Sequence, residues 1–270
     1  MTRKDKVWIG VLCAAACVIW LRDRSWMEAA PDTIPILAGL PLLFALGRPW
    51  QLRKEPFKLG TGPLLAGIGL WIVGMLSNLT VLLALGWTAA FWAWAGTRLE
   101  SSRRRDVFRL LVLPVLAFPW VTLDAAVVGW WFRLSAAAVA EICFRVVGLS
   151  VTRQGTMLHV QNLPISVEAA CSGMKVLQAM LIAGSVLAWT MLVRSRLYWW
   201  SLPVLVVLAW IANTIRVLTL SVAALSAGPE FASGLFHTWG GWLVLVLMFL
   251  LSGGCLSLLK RIEGMKPVAA

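Results

Sequence analysis

The chain is a series of long apolar runs separated by short clusters of basic residues. Of its 270 residues, 60% are hydrophobic and only 13% are charged, which is about half the charged fraction of a soluble globular domain. A soluble core cannot hide so much apolar surface, whereas a membrane-spanning helix needs about 20 such residues. The pattern therefore predicts an all-α integral membrane protein with no large cytosolic catalytic domain.

Eight of the apolar runs are predicted to be transmembrane helices. They cover residues 7–21, 33–47, 59–76, 79–96, 107–123, 174–193, 199–222 and 237–259. The first run follows a short basic leader, as in a signal peptide, but we interpret it as a retained span because further apolar runs follow it.

The basic residues set the predicted orientation. The net charge is +12, with 24 Lys and Arg against 12 Asp and Glu, and the cations lie in short loops, as the positive-inside rule requires. This distribution indicates membrane topology and no nucleic-acid partner. We expect a plasma (inner) membrane protein with cytoplasmic N- and C-termini, in which residues 124–170 lie outside the cytoplasm.

Three regions are predicted along the chain. Residues 1–123 form an N-terminal five-span region, residues 124–170 an extracytoplasmic segment, and residues 171–270 a C-terminal three-span catalytic core. The first half of the extracytoplasmic segment predicts an interfacial amphipathic helix, in which Glu141 and Arg145 pair four residues apart. Its second half predicts a small β-hairpin on the outer surface before the sixth helix.

One of the five cysteines is a candidate nucleophile. The cysteines form no CxxC pair and no Cys/His cluster, so neither a disulfide framework nor a metal site is expected, and no cofactor is implied. Cys171 differs from the others because it lies at the predicted outer N-terminal end of the sixth span, where the helix dipole lowers a thiol pKa. Three supporting residues surround it in sequence: Glu168, Ser172 and Gly173.

Two further polar residues are expected at the same level of the membrane. Arg216, with Asn213 beside it, interrupts the seventh span, and a charge in such a helix is a functional candidate. A structural ion pair of Arg216 with Glu168, Glu141 or Asp124 is the alternative. His237 opens the last span at the outer edge, and His159 in the hairpin is the reserve candidate for a general base. Nucleophile, acid–base group and oxyanion stabiliser are the parts that acyl transfer needs.

These segments resemble the three motifs of the exosortase and archaeosortase family. The motifs are Cys-Ser-Gly-Met at 171–174 preceded by Glu168, Ala-Asn-Thr-Ile-Arg at 212–216, and His237 followed by Gly241-Trp242. Two positions depart from the family pattern, since an extra Ala separates Glu168 from the cysteine and Lys175 stands where Arg is common. The resemblance implies a multi-pass membrane cysteine transpeptidase with Cys171 as nucleophile and Arg216 and His237 as its partners.

The resemblance also implies the substrates. These are exported proteins that carry a C-terminal sorting signal, made of a short motif, a membrane helix and a basic tail. Their expected acceptor is extracellular polysaccharide or another cell-surface group, and membrane lipid surrounds the enzyme. A simple hydrolytic protease with the same residues is one alternative. A non-enzymatic transporter, with Arg216 and His237 lining a pathway, is another.

Overall fold

The computed structural model describes residues 2–27, 30–54, 57–161, 163–166, 173–228, 230–231 and 235–264. The chain forms two compact units. The first consists of Met1–Asp124 with Ser185–Tyr198, and the second of Ala125–Gly184 with Trp199–Ala270. The three-region division predicted from the sequence stays a prediction.

Helices of the first unit occupy the first four predicted spans. They are α1 (Arg3–Arg22), α2 (Ala30–Leu46), α3 (Thr61–Ser77) and α4 (Thr80–Arg98), followed by α5 (Ser101–Leu110), α6 (Val112–Leu116) and α7 (Trp120–Leu123). A 3-10 turn, Ser25–Met27, follows α1. Each of the first four matches its predicted apolar run to within a few residues.

The fifth predicted span is wrong as a single helix, because it is divided into α5, α6 and α7. Pro114 has no backbone N–H to donate to the carbonyl of Leu110, four residues earlier. Helix α5 ends at Leu110. Pro119 likewise leaves the carbonyl of Val115 without its helical donor, and the Trp120 indole N–H donates to that oxygen at 2.8 Å instead. Proline therefore breaks the helix while side chains replace a lost backbone bond.

Tryptophan indoles connect helices within the first unit. Trp87 on α4 donates to the Leu12 carbonyl of α1 at 2.8 Å, and Trp20 on α1 donates to the Ala117 carbonyl at 2.9 Å. Trp189 donates to the Asp106 carbonyl at 3.2 Å. These bonds, with the buried α1 side chains of Leu12 and Ile19, make α1 an integral part of the helix packing.

A buried ion pair fixes the start of α1 to the end of α4. Arg98 donates to Asp5 at 3.0 Å, and Trp94 donates to the second oxygen of the same carboxylate at 3.0 Å. Burial by itself raises the pKa of Asp5, which lies just before the apolar run. Hydrogen bonds from Trp94 and Thr2 and the Arg98 charge outweigh that effect and hold the pKa at about 2. Asp5 is therefore ionised at physiological pH.

Loops predicted to be cytoplasmic lie together at this end of the first unit. The Arg53 N–H donates to the Arg98 carbonyl at 2.7 Å, and Arg103 donates to the Arg48 carbonyl at 3.0 Å. At the other end, Arg22 bonds Asn78, and the Asp124 carboxylate accepts from the Val81 N–H at 2.6 Å. These loops of the first unit thus alternate between its two ends, while their orientation in the membrane stays a prediction.

The second unit combines helices with a small sheet. Its helices are α8 (Ala126–Val146), α10 (Ser201–Ala227) and α11 (Leu235–Gly264), together with the first part of α9 (Gly173–Leu192). A 3-10 turn, Arg196–Trp200, precedes α10.

Among the described residues, Thr80–Arg98 and Arg196–Ala227 are long and apolar enough by themselves to cross a membrane. Thr33–Leu46, Thr61–Ser77 and Leu177–Leu192 are shorter apolar helices.

The predicted hairpin is extended by a third strand. Strands β1 (Val151–Gln154), β2 (Met157–Val160) and β3 (Leu163–Ser166) form an antiparallel sheet in that order. Its inner face packs on α8 and α10 through a cluster of buried residues: Ala136, Ala137, Ala140, Phe144, Val151, Leu158, Val160, Val217 and Leu220. The sheet is therefore fixed to the same part of α10 that carries Arg216.

Helix α8 packs along α10 over a considerable length. Trp210 donates to Ser135 of α8 at 2.9 Å, while Val217 and Leu220 share the buried cluster with α8. These contacts cover about 15 Å of α10, whereas an interfacial helix sinks about 5–10 Å into the headgroup boundary. The interfacial assignment of α8 stays a prediction, and this packing does not favour it.

Candidate active site

Arg216 lies in the second half of α10, which the predicted orientation places on the outer side. It follows Ser201, the first residue of α10, by fifteen residues, or about 22 Å of helix. Three small residues share its helical stripe: Ala209, Ala212 and Ala223. Arg216 is half-buried as a residue, and its Nε atom is buried. Small neighbours on this stripe leave room for a long cationic side chain within the packed helix.

Asn213 lies one turn before Arg216 and is 7% exposed. The next residue, Thr214, donates its hydroxyl to the Trp210 carbonyl at 3.0 Å, within the helix. Arg216 itself accepts a hydrogen bond from the Thr219 hydroxyl at its backbone carbonyl, at 3.1 Å. The hydroxyls of Thr214 and Thr219 thus bond the backbone of α10 itself. Asn213 and Arg216 are the side chains of the predicted site on this part of the helix.

Helices α9 and α10 approach each other closely at Gly184. A Cβ added to Gly184 would lie 2.5 Å from Leu205 Cδ2, so the two helices meet closely there. Gly173 lies eleven residues before Gly184, and Arg216 lies eleven residues after Leu205. For an antiparallel pair of helices, this spacing places both residues about 16 Å from the contact in the same direction. We therefore expect the start of α9 to lie level with Arg216.

The nucleophile segment itself lies outside the described residues. Glu168, Cys171 and Ser172 belong to 167–172, which the structure does not describe. Helix α9 begins at Gly173, two residues after Cys171. The predicted positions of these side chains therefore stay predictions.

The two histidines have different settings. His237 is the third residue of α11, and its side chain lies outside the described residues. His159 lies on β2 between Leu158 and Val160, whose side chains are buried against α8 and α10. Because side chains alternate across a strand, His159 is directed to the opposite face of the sheet. The reserve candidate for the general base therefore points away from the helix that carries Arg216.

Two of the carboxylates proposed as structural partners for Arg216 have other interactions. Glu141 accepts from Arg145 at 2.6 Å and from Arg153 at 2.8 Å. This confirms the predicted i,i+4 pair and adds a bond from α8 to β1. Asp124 accepts from the Val81 N–H at the start of α4. The third, Glu168, lies outside the described residues.

Strand β3 is the element near the site that the sequence prediction missed. Leu163 packs against Ala223 and Ala224 of α10, and Ile165 packs against the cluster that contains Val217. The alternation of apolar Leu163 and Ile165 with Pro164 and Ser166 was the signal that could have identified it. This strand runs beside the outer part of α10 and leads directly into the segment of Cys171.

The remaining cysteines are free thiols within helices. Cys13 and Cys17 on α1 are exposed, and Cys143 on α8 and Cys255 on α11 are half-buried. Within the described part of the chain, no group of three or more His, Cys, Asp or Glu is arranged to hold a metal ion.

A family model matches nearly the whole chain. The model is that of the transmembrane exosortase (Exosortase_EpsH), and it covers residues 4–254. The matched range includes both compact units and the positions of Cys171, Arg216 and His237. No curated protein and no solved structure matches the chain.

Proposed function

The chain belongs to the transmembrane exosortase family, and from this premise we propose that it is a cysteine transpeptidase of exported proteins. Family membership makes it a membrane protein and supports a transpeptidase or protease in general. It also favours an enzyme over the transporter that the sequence left open. The finer proposal assigns three roles: Cys171 is the nucleophile, Arg216 stabilises negative charge, and His237 transfers protons.

The close approach of Gly184 to Leu205 is the observation that supports this assignment. Gly173 and Arg216 are each eleven residues from that contact, so an antiparallel pair of helices would bring a nucleophile two residues before Gly173 near the level of Arg216. A cysteine at the first turn of α9 would also meet the partial positive charge of the helix N-terminus. Both effects favour the thiolate over the thiol.

The short connection from strand β3 also limits how far Cys171 can lie from Arg216. The chain reaches Cys171 five residues after Ser166, and five extended residues span at most about 18 Å. Since β3 lies beside Val217–Ala224 of α10, this tether ends within reach of Arg216. Two independent connections thus support the proximity of the nucleophile and the guanidinium.

The first half of the reaction forms a thioester. The Cys171 sulfur attacks the scissile carbonyl carbon, and the developing oxyanion is stabilised by Arg216. The C–N bond then breaks, and His237, protonated by the proton that left the thiol, donates that proton to the leaving amine. The exported chain stays bound to Cys171 through a C–S bond, while its C-terminal fragment departs.

The second half transfers the chain to an acceptor. A hydroxyl or amine of a cell-surface group attacks the thioester carbon, and His237 removes its proton. The C–S bond breaks and the Cys171 thiolate is restored. Polysaccharide is a candidate acceptor, and hydrolysis follows when water reaches the thioester first. No cofactor takes part in this scheme.

The membrane contributes to this reaction by holding the substrate. We propose exported proteins whose C-terminal sorting signal consists of a short motif, a membrane helix and a basic tail. A helix confined beside the enzyme in the bilayer raises the effective concentration of the motif at Cys171. The site then lies on the extracytoplasmic face and both termini lie in the cytoplasm, in agreement with the positive-inside rule.

The test compares the membrane and surface proteins of a native host that carries the wild type or Cys171→Ala. We expect a defined set of exported proteins to retain the C-terminal membrane helix only in Cys171→Ala. Cys143→Ala is the matched control, because Cys143 is a half-buried thiol of the same unit with no role in the scheme. Identical protein sets in all three strains would exclude the thiol chemistry. A cleaved product with a new C-terminal linkage would distinguish transfer from hydrolysis.

A further inference from the structure

One edge of the small sheet is open in the described residues. In the antiparallel pair of β2 and β3, Val160 faces Leu163 across a two-residue connection. The two residues of such a closing pair exchange both backbone hydrogen bonds. Because hydrogen-bonded and non-hydrogen-bonded pairs alternate along an antiparallel ladder, the next pair, His159 with Pro164, is not hydrogen-bonded. The backbone groups of Pro164 and Ser166 are therefore directed away from β2. No other strand pairs with that edge among the described residues.

The opposite edge of the sheet is held by α8. Arg153 of β1 donates to Glu141 at 2.8 Å and to the Gly155 carbonyl at 3.1 Å. Val151 of the same strand is buried in the cluster with Ala140 of α8. The two edges thus differ, since β1 is tied to a helix by an ion pair and apolar packing. An additional strand can pair with β3.

The open edge leads directly to the proposed nucleophile. Ser166 is the last residue of β3, and Cys171 follows it by five residues. The side chains of β3 contact α10 at Ala223 and Ala224, two turns beyond Arg216. A peptide paired with β3 would therefore run beside α10 and be directed into the proposed site.

We propose that β3 is the docking strand for the substrate. The extended segment that precedes the substrate's own membrane helix would pair with β3 as a fourth strand of the sheet. This inference rests on the proposed function. Main-chain pairing requires an extended peptide but few particular side chains, as expected for an enzyme that processes many exported proteins. The docked segment would end at Cys171 with its scissile bond.

Proline at the open edge limits what can pair there. Pro164 has no N–H, so this edge offers the carbonyl of Pro164 and both backbone groups of Ser166. Edge prolines discourage long sheet-to-sheet association. The edge is therefore too short to recruit another folded sheet, but it can hold a peptide that is already anchored in the membrane nearby.

Photo-crosslinking from two matched positions tests the docking. Pro164 and Thr152 are both exposed and lie in one row across the sheet, each opposite His159. A benzophenone amino acid is placed at 164 or at 152 of the full-length Cys171→Ala protein in native membranes. We expect position 164 to capture the segment just before the membrane helix of precursors that accumulate in Cys171→Ala, at least ten times more than position 152.

The outcomes separate the docking from the chemistry. Accumulated precursors that crosslink equally from both positions, or from neither, would overturn the docking strand and leave the thiol chemistry intact. Crosslinks from position 164 only to this chain itself would show that the edge is covered, which also overturns it. If no precursor accumulates in Cys171→Ala, the proposed function and the docking strand both fail.

A backbone variant provides the second measurement. Ser166→Pro removes the outward N–H, while the bonds between β2 and β3 at Ile165 and Leu163 stay in place. We expect precursor capture from position 164 to fall at least tenfold, with an unchanged amount of protein in the membrane. Undiminished capture would show that no main-chain bond forms at this residue and would contradict the docking strand.

Discussion

The two units of this protein use their buried polar groups differently. In the first unit, Asp5 meets Arg98 and Trp94 in a closed ion pair whose side chains are 0% and 4% exposed. In the second, the ion pairs of Glu141 lie at the protein surface, and Arg145 is 62% exposed. Polar bonds in the first unit fix helices to one another. In the second, alanines of α8 and the small sheet pack against the part of α10 that carries Arg216.

This contrast predicts that charge loss harms stability in the first unit and activity in the second. The largest effect is expected for Arg216→Ala, with at least a hundredfold slower precursor processing, because an oxyanion donor is worth about 10²–10³ in rate. Arg216→Lys should recover little, since ammonium lacks the planar geometry of guanidinium. Rates of precursor cleavage in membranes measure this, with Arg145→Ala as control. Equal activity of Arg216→Ala and wild type would contradict the assigned role.

The next effect is expected for Asp5→Ala, which leaves the Arg98 charge buried without its carboxylate. Breaking a buried pair costs about 3–5 kcal/mol, so the unfolding temperature of the purified protein should fall clearly. Arg145→Ala removes an exposed partner of Glu141 and should lower the free energy of unfolding by at most about 1 kcal/mol. Because the folded-state pKa of Asp5 is lowered to about 2, its contribution is fully present above about pH 4 and is lost as pH falls toward 2. Similar unfolding temperatures for both variants would remove the contrast.

A smaller effect is expected at the contact that sets the register of α9 and α10. Gly184→Ala places a Cβ against Leu205 and should cost about 1–3 kcal/mol through overpacking. It should also slow processing several-fold, because α9 must shift relative to Arg216. Gly254→Ala is the matched control, as a Cβ there meets no atom within 4 Å. Loss of stability with unchanged processing would show that the register is not what positions the site.

The smallest effect is expected for Arg153→Ala, which cuts the bond between β1 and α8. Removal of a partly exposed pair costs at most about 1 kcal/mol, so stability should hardly change. Processing should fall two- to fivefold as the sheet becomes less firmly placed beside α10. Thr152→Ala, the neighbouring exposed position, is the control in the same processing assay. An unaltered rate in Arg153→Ala would mean that apolar packing alone holds the sheet.

Apolar runs predicted most helices well but not where proline interrupts them. Hydropathy alone treats 107–123 as one span, while the lost backbone bonds at Pro114 and Pro119 divide it into three helices. Pro35 and Pro41, by contrast, lie within α2, which continues through both. The presence of proline alone therefore does not predict which apolar run is divided.

The helix that carries Arg216 was predictable from the sequence, whereas the packing around it was not. Motif and charge identified Arg216 as an unusual residue of an apolar helix, and the family match supports the motif reading. The register set by Gly184 and the packing of Leu163 on Ala223 depend on contacts between distant parts of the chain. No short pattern encodes such contacts. The third strand differs, because the alternation of apolar and polar residues over 163–166 is visible in the sequence.

Indole bonds to main-chain carbonyls have a consequence for sequence variation. Trp87 and Trp20 recognise the backbone of another segment and not a particular side chain. Leu12 and Ala117, whose carbonyls accept these bonds, could therefore be exchanged for other apolar residues of similar size without loss of the bond. We expect the donor position at each such contact to require tryptophan, whereas the buried accepting position tolerates apolar residues of similar size.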